Sequence, residues 1–308
     1  MKTMKKGIVW LLVAAMLLVM GTGMAESAGG LKITSPSGAP GLALATLAAE
    51  EPETCTFIAA ENITAAFADE NADFIVAPLN AGAKLYKAGK SHYRLAAVLT
   101  WGNLYFASQK EAFQIEDLNG AEVTLFGEGT LNAALALYVL GEKGIVPASV
   151  AYLGSAANTQ TLLLSDESAM VMTAEPALTA ASVKNEKVTG IALNDLYEEV
   201  TGFRGFPQAG LFVRAETLET KPEEVKTMME KIAEAAGQCE SNLEAVTEAA
   251  VALELLPNAK VASLAIPHCA IRFVPASEAR EQIETTAKID LSQFGGEVPA
   301  DDFYYTAE

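Results

Sequence analysis

The chain has 308 residues, of which 51% are apolar, and its 39 acidic against 21 basic residues give a net charge of −18. So acidic a protein is repelled by nucleic acid and by anionic membrane surfaces, and we expect neither as a partner. With two distant histidines and no Cys-x-x-Cys pair, a zinc site is not expected. The cysteines leave open either one disulfide bridge or three thiols packed in the core, and they are Cys55, Cys239 and Cys269.

The first 25 residues have the three-part layout of a secretory signal peptide. Three lysines precede an apolar run over residues 7–19, and small residues follow up to Ala25. The alternative is a retained membrane anchor, but the apolar run is shorter than the ~20 residues of a spanning helix. We therefore expect cleavage after Ala25. No lipid-anchoring cysteine follows that point, so the protein is predicted to be exported to a periplasm or outside the cell.

Short strands then alternate with alanine-rich amphipathic segments, a pattern that predicts a mainly parallel sheet. The predicted strands are residues 31–34, 56–59, 73–77 and a longer one at 94–108. The predicted helices between them are residues 42–50, 63–70 and 81–88.

The segment over residues 121–184 repeats the unit of residues 31–87. Its predicted strands are residues 122–126, 150–153, 169–173 and 188–192, and its predicted helices are 131–143, 159–165 and 177–184. Two similar α/β lobes imply a cleft between them, and clefts are where small ligands bind.

A strand at residues 211–213 and long helices at 222–239 and 243–255 follow, without counterpart in either repeat. We infer that these helices pack on the first lobe. The chain would then cross between the lobes near residues 107–110 and return near 206–211, so that two crossings form a hinge. This assigns residues 29–107 and 209–308 to lobe 1 and residues 108–208 to lobe 2.

Four loops lie beyond the carboxyl ends of predicted strands and before helix starts, where open α/β sheets bind ligands. Glycine lets backbone approach a ligand closely, while Ser, Thr and Asn supply hydrogen-bond partners. The candidate contacts in these loops are Ser35, Ser37, Gly38, Ala39, Pro40, Asn80, Glu128, Gly129, Thr130 and Glu175. Ser37, Asn80 and Thr130 have an alternative role as helix caps.

Two further features bear on the ligand. Glu128 and Glu175 either complement helix dipoles or meet a cationic or hydrogen-bond-donating group of the solute. No Lys or Arg lies in the four loops, which argues against a phosphate, although backbone amides could hold a sulfonate or carboxylate.

The segment Trp101-Gly102-Asn103 interrupts the long apolar strand just before the expected first crossing, and its three residues are further candidate contacts. Trp101 there, and Phe206 at the expected return, are candidate aromatic walls of the site, with core packing as the alternative for both. Gly102 points to a close backbone approach.

Signatures of catalysis are missing from the sequence. There is no Gly-x-Ser-x-Gly elbow and no P-loop, and Asn132 stands where a dinucleotide-binding fingerprint needs its third glycine. We therefore expect a protein that is not an enzyme and that uses no cofactor.

The order of elements resembles type II periplasmic binding proteins, and within them the solute-binding subunits of ABC transporters of the nitrate, sulfonate and taurine type. That group also includes binders of thiamine-precursor pyrimidines. The stretches that carry the resemblance span nearly the whole chain after the leader. They are residues 73–86, residues 95–106 with Thr100-Trp101-Gly102-Asn103, Gly127-Glu128-Gly129-Thr130, Ala174-Glu175-Pro176, and residues 295–305.

The resemblance implies a two-lobed fold, each lobe a mainly parallel sheet flanked by helices. A small sulfonate-, amine- or pyrimidine-like solute would be captured between the lobes and delivered to an ABC transporter permease, with a monomer expected. The implied contacts are the loop at residues 35–40, Asn80, Trp101 with Gly102, residues 128–130 and Glu175. The acidic Glu128 and the missing lipid-anchor cysteine depart from the usual pattern.

Two alternatives stay open. One is an enzyme of cofactor-precursor metabolism on the same scaffold, against which the leader peptide argues. The other is a sensory or scaffolding binding module.

Overall fold

A computed structural model describes residues 30–306, which form two β-sheets flanked by helices. The predicted signal peptide and its cleavage point lie outside the described residues. The strands are, in chain order, β1 (Ile33–Pro36), β2 (Cys55–Ile58), β3 (Phe74–Pro78), β4 (Tyr93–Thr100), β5 (Leu104–Ser108), β6 (Glu122–Phe126), β7 (Ser149–Leu153), β8 (Met170–Ala174), β9 (Thr189–Ala192), β10 (Ala209–Arg214) and β11 (Ile271–Pro275).

One sheet has six strands in the order β11-β4-β10-β3-β1-β2, and the other has five in the order β7-β6-β8-β5-β9. We refer to the six-stranded sheet with its helices as lobe 1 and to the five-stranded sheet with its helices as lobe 2. In each sheet three strands pair in parallel through βα units, β2-β1-β3 in lobe 1 and β7-β6-β8 in lobe 2.

The other strands pair antiparallel, so both sheets are mixed and the predicted mainly parallel order is corrected. β10 lies antiparallel between β3 and β4, β11 is antiparallel to β4, and β5 is antiparallel to β8 and β9. β5 and β10 each enter their sheet from the other lobe. The helical crossover that makes the strands of a βαβ unit parallel therefore does not act on them.

The first crossing lies at residues 101–103, earlier than the predicted 107–110. β4 ends at Thr100 in lobe 1, and β5 belongs to the lobe 2 sheet from Leu104 onward. The apolar pattern runs through both strands because both are buried, so hydropathy alone did not separate them. The return crossing covers residues 202–208 and leads into β10, close to the predicted position.

The helices agree with the sequence pattern best where the periodicity is longest. Predicted residues 131–143 and 177–184 become α5 (Leu131–Glu142) and α7 (Ala177–Lys184). Predicted 42–50 divides into two short helices, and predicted 63–70 begins in a 3-10 helix and ends in a short α-helix. The elements that the sequence pattern did not predict are β11 and the helices α8 (Leu193–Thr201), α9 (Ala215–Thr220), α12 (Ala259–Ala265) and α13 (Ala276–Ile289). The helices are α1 (Ala39–Leu42), α2 (Ala45–Glu50), α3 (Ala66–Asp69), α4 (Leu79–Lys87), α5 (Leu131–Glu142), α6 (Ala156–Ser165), α7 (Ala177–Lys184), α8 (Leu193–Thr201), α9 (Ala215–Thr220), α10 (Pro222–Ser241), α11 (Leu243–Ala252), α12 (Ala259–Ala265) and α13 (Ala276–Ile289).

The long helices pack on lobe 1, as the sequence analysis predicts. α10 contacts β11 and α11 contacts α2. No helix within residues 30–306 combines the length and the apolar character needed to cross a membrane. The three cysteines are free thiols, and burial raises the pKa of Cys239 to about 12.

The core continues through the two crossings. One cluster of buried side chains includes Phe212 of β10, Trp101 and Phe206 of the crossings, and Phe106 of β5. A buried aromatic side chain of this kind contributes ~1.5–3 kcal/mol. The crossings are therefore packed parts of the fold that hold the lobes beside each other.

Candidate functional site

A cavity of about 630 Å³ lies between the two lobes. Its walls include the loops that follow β1, β2 and β3 of lobe 1 and β6, β7 and β8 of lobe 2. These are the carboxyl ends of the parallel strands, where backbone N–H groups at helix starts are unpaired. Four of these six loops are predicted from the sequence, and the loops after β2 and β7 are not.

The cavity brings together ten of the fourteen predicted contact residues. They come from both lobes and from the crossings, which is the arrangement that a ligand held between lobes requires. These residues are Ser37, Gly38, Ala39, Pro40, Asn80, Asn103, Gly129, Thr130, Glu175 and Phe206.

Trp101 does not line this cavity, and the predicted aromatic wall is corrected. Its ring is 3% exposed and packs under the guanidinium of Arg272, whose Cζ lies 4.5 Å from the ring centroid. The indole Nε1 donates to the Arg272 carbonyl at 2.9 Å. Trp101 instead borders a separate cavity formed with Tyr105 and Arg272. Its place in the structure is that of a core residue of the hinge.

Three other predicted residues also lie away from the cavity. Ser35 is fully buried, and its hydroxyl donates to the Pro36 carbonyl at 3.1 Å. Gly102 has a φ of +85°, and a Cβ there would clash with the ring of Phe206, so glycine is needed for packing between the crossings. Glu128 is exposed at the loop surface.

Helix capping does not account for the predicted hydroxyl and amide contacts. Thr130 occupies the N-cap of α5, but its hydroxyl donates to the Gly127 carbonyl at 2.6 Å and accepts nothing from the helix. The N-cap of α1 is Gly38 and that of α4 is Pro78, so neither Ser37 nor Asn80 holds a cap position. These side chains are therefore not committed to a helix end.

Glu175 is the most perturbed acid of the cavity. It is 4% exposed, and its carboxylate oxygens accept hydrogen bonds from the hydroxyl and the backbone N–H of Thr179, at 2.9 and 3.2 Å. Burial raises the pKa of Glu175 to about 7, against the lowering effect of these two bonds. The carboxyl thus caps α7 and at the same time lines the cavity, and its contact with a solute stays a prediction.

Asn103 fixes the backbone that carries Glu175. Its amide Nδ2 donates to the Glu175 carbonyl at 2.6 Å, and its own carbonyl accepts from the Glu175 N–H at 2.9 Å. Asn103 is 7% exposed, so these bonds are shielded from water. The first crossing therefore holds the β8 loop in place at the edge of the cavity.

Sequence reasoning missed several cavity residues. Ser155 follows β7 in a Gly-Ser turn before a helix, a signal of the same kind as the four loops that were identified. Gln293 lies far along the chain, and no local pattern points to it. The missed side chains with polar or aromatic groups are Glu61, Thr100, Phe126, Asn132, Ser155, Gln208 and Gln293.

The charge of the cavity is negative or neutral. Glu61 from lobe 1 and Glu175 from lobe 2 line it, and among residues 30–306 no Lys, Arg or His belongs to its lining. Within residues 30–306 no group of three or more His, Cys, Asp and Glu side chains is arranged to hold a metal ion. The cavity therefore offers hydrogen bonds, aromatic surface and carboxyl groups, and no counter-ion for an anion.

A family model described as NMT1/THI5 like matches residues 40–242, which is more than half of the chain. No curated protein sequence matches significantly.

Solved structures share the fold across nearly the whole chain. A protein described as an ABC transporter from Parabacteroides distasonis aligns with a TM-score of 0.76 at 18% identity, covering 91% of this chain and 100% of that one. The periplasmic aliphatic sulphonate binding protein SsuA from Escherichia coli aligns with a TM-score of 0.69 at 17% identity, covering 92% and 94%.

The alkanesulfonate-binding protein SsuA from Xanthomonas axonopodis pv. citri, whose structure holds MOPS, aligns with a TM-score of 0.65 at 15% identity, covering 90% and 98%. At such low identities these similarities establish the fold, which is the two-lobed fold of periplasmic binding proteins.

Proposed function

Since this chain belongs to the NMT1/THI5-like family, we propose that it is the extracytoplasmic solute-binding component of an ABC importer. The observation that carries the proposal is the cavity of about 630 Å³ lined by strand-end loops of both lobes. A solute in that cavity contacts both lobes at once only when they are close together. Binding therefore shifts the population toward the closed form, which a membrane permease would recognise.

The chemistry of the cavity favours a solute that is uncharged or carries one positive charge. An anion would meet no cationic side chain and would have only backbone N–H groups at the helix starts to replace its hydration, which is costly in a buried site. Glu175 and Glu61 suit an amine or a ring N–H, and the amide groups of Asn80, Asn132 and Gln208 suit a heteroaromatic ring with donors and acceptors. Among the classes expected from the sequence, an amine- or pyrimidine-like solute fits better than a sulfonate.

Aromatic surface in the cavity agrees with a flat solute. Phe126 at the end of β6 lines it and is half-buried, whereas Phe206 in the return crossing borders it but is 0% exposed and packs against Tyr197. Aromatic rings stack on planar ligands with ~0.5–1.5 kcal/mol beyond the area that they bury.

Export is part of the proposal. The lysines and the apolar run of the first 25 residues support a cleaved leader, and the acidic chain suits a soluble carrier in a periplasm or outside the cell. We expect the mature protein to act as a monomer that docks on its permease.

Mass spectrometry of small molecules released from the purified protein tests the function. A bound amine or nitrogen heterocycle in stoichiometric amount would support the proposal. A thermal-shift series of pyrimidines, amines and alkanesulfonates then ranks the classes. Stabilisation by sulfonates alone would overturn the proposed solute class, and no stabilisation by any class, with no released molecule, would overturn the binding function.

The enzyme alternative has one observation in its favour, because a buried carboxyl with a pKa near 7 can carry a proton in catalysis. Both donors to that carboxyl belong to Thr179, however, and serve to cap α7. Incubation of a released ligand with the protein distinguishes the two functions. A carrier returns the ligand unchanged, whereas a changed mass would indicate turnover.

A further inference from the structure

The side chain of Gln293 lines the cavity and hydrogen-bonds to both lobes. Its Oε1 accepts from Nδ2 of Asn80 at 3.4 Å, and its Nε2 donates to the carbonyl of Gly129 at 2.9 Å. Asn80 lies in the first turn of α4 in lobe 1, and Gly129 lies in the loop between β6 and α5 in lobe 2. One amide group therefore spans the cleft.

The backbone that carries Gln293 is firmly held on lobe 1. It belongs to a 3-10 helix at Leu291–Phe294 that packs against α4 and α13. The carboxylate of Asp290 accepts from the N–H and the hydroxyl of Ser292, at 3.0 and 2.6 Å, and Phe294 is 1% exposed. Gln293 thus projects from a rigid support.

The acceptor on lobe 2 is also fixed. Gly129 has a φ of +70°, and the loop around it is braced by the bond from the Thr130 hydroxyl to the Gly127 carbonyl. Because Gln293 is held on lobe 1 and Gly129 on lobe 2, neither residue can move to keep the bond between them if the lobes separate. The bond to the Gly129 carbonyl therefore exists only when the lobes are near their present spacing, whereas the bond to Asn80 lies within lobe 1.

We propose that Gln293 is an inter-lobe clasp and a positioning residue for Asn80. Its bond to Gly129 favours the closed arrangement of the lobes, and its bond to Asn80 sets the direction in which that amide faces the cavity. A glutamine suits this role because one side-chain amide both donates and accepts. The role of the clasp in transport rests on the proposed function, whereas its effect on lobe spacing does not.

The test measures lobe spacing in the mature protein without added solute. Small-angle X-ray scattering gives the radius of gyration, and hydrogen exchange reports the opening of residues 127–131. Gln293→Ala removes both bonds, and Gln293→Glu keeps the size of the side chain but cannot donate to the Gly129 carbonyl. We expect a larger radius of gyration in both variants, with exchange in the loop faster by roughly tenfold.

Gln282→Ala is the matched control, because Gln282 lies on α13 outside the cavity lining. It should scatter and exchange as the wild type does. Unchanged scattering and exchange in folded Gln293→Ala would overturn the clasp, and if that variant fails to fold, unchanged values in Gln293→Glu would do so.

The two proposals fail separately. If the protein binds no solute but opens when Gln293 is replaced, the clasp is supported and the transport function is contradicted. If the protein binds a solute and does not open when Gln293 is replaced, the transport function is supported and the clasp is contradicted.

Discussion

The two lobes place the same kind of loop at the cavity but equip it differently. After β3 in lobe 1 the loop presents Asn80, a half-buried amide that bonds to Gln293. After β8 in lobe 2 the matching loop presents Glu175, a buried carboxyl that is fixed by Thr179 within its own lobe. A repeated architecture thus carries two chemistries. Lobe 1 offers a neutral group held by Gln293, whose other bond reaches lobe 2, and lobe 2 offers a titrating group held by Thr179 of the same lobe.

The two lobes face each other because the hinge between them is packed. Of the substitutions considered, replacing Trp101 in that hinge should have the largest effect on the free energy of unfolding. Trp101→Ala removes a 3% exposed indole together with its bond to the Arg272 carbonyl. We expect a loss of roughly 3–5 kcal/mol in the free energy of unfolding. Urea unfolding followed by circular dichroism measures it. A loss below ~1 kcal/mol would show that the hinge core does not depend on this ring.

Glu175→Gln should remove a pH dependence of stability that comes from lobe 2. The pKa of Glu175 is about 7 in the folded protein against an ordinary value of 4.5. Between these values the folded state keeps the proton while the unfolded chain loses it, so stability falls as the pH rises. The fall amounts to about 3 kcal/mol and levels off above pH 7.

Urea unfolding of the wild type and of Glu175→Gln at intervals from pH 4.5 to 8 measures this difference. The stability of the wild type relative to the variant should decrease across that interval. If the free energies of unfolding of the two proteins changed with pH in parallel, Glu175 would have the same pKa in the folded and unfolded chain. The two lobes would then not differ in the titration of their cavity residues.

The smallest effects are expected from two asparagine substitutions. They distinguish Asn103, which stabilises the fold, from Asn80, which is proposed to bind the solute. Asn103→Ala leaves the buried Glu175 carbonyl without its side-chain donor and should cost about 1–3 kcal/mol of stability. Asn80→Ala should leave the melting temperature within about 1–2 °C and weaken solute binding roughly tenfold.

Calorimetric melting of both variants and titration with the released solute measure these outcomes. The contrast between the two asparagines would be contradicted if Asn80→Ala bound the solute as the wild type does. Equal losses of stability in both variants would contradict it as well.

Local patterns were sufficient for much of the fold and part of the cavity. The pattern of residues 131–142 predicts a helix and that of residues 122–126 predicts a strand, each from neighbouring residues alone. The structure has a helix and a strand there. Loops after such strands could be placed at the cavity because parallel strands end at one edge of a sheet. Most of the cavity residues in those loops could therefore be predicted from the sequence.

Long-range packing decided the rest. Trp101-Gly102-Asn103 marks a break in the buried run at residues 93–108, but no local pattern shows that the two halves pair in different sheets. Whether Trp101 faces the cavity or the far side of the hinge depends on Arg272, 171 residues further along the chain. Gln293 reaches Gly129 across a separation of 164 residues. No spacing rule connects such positions.

The contact between the two crossings has a consequence for how homologous chains can diverge. Gly102 and Gly205 both have positive φ, and a Cβ on Gly102 would strike Phe206 while one on Gly205 would strike the backbone of Trp101. Any larger residue at either position would wedge the crossings apart and alter the angle between the lobes. Such a change would act on every solute at once, whereas variation in the loops adjusts preference for one solute. The movement of the lobes therefore depends on the two glycines, whereas the choice of solute depends on the loops, so the two properties can change independently among homologous chains.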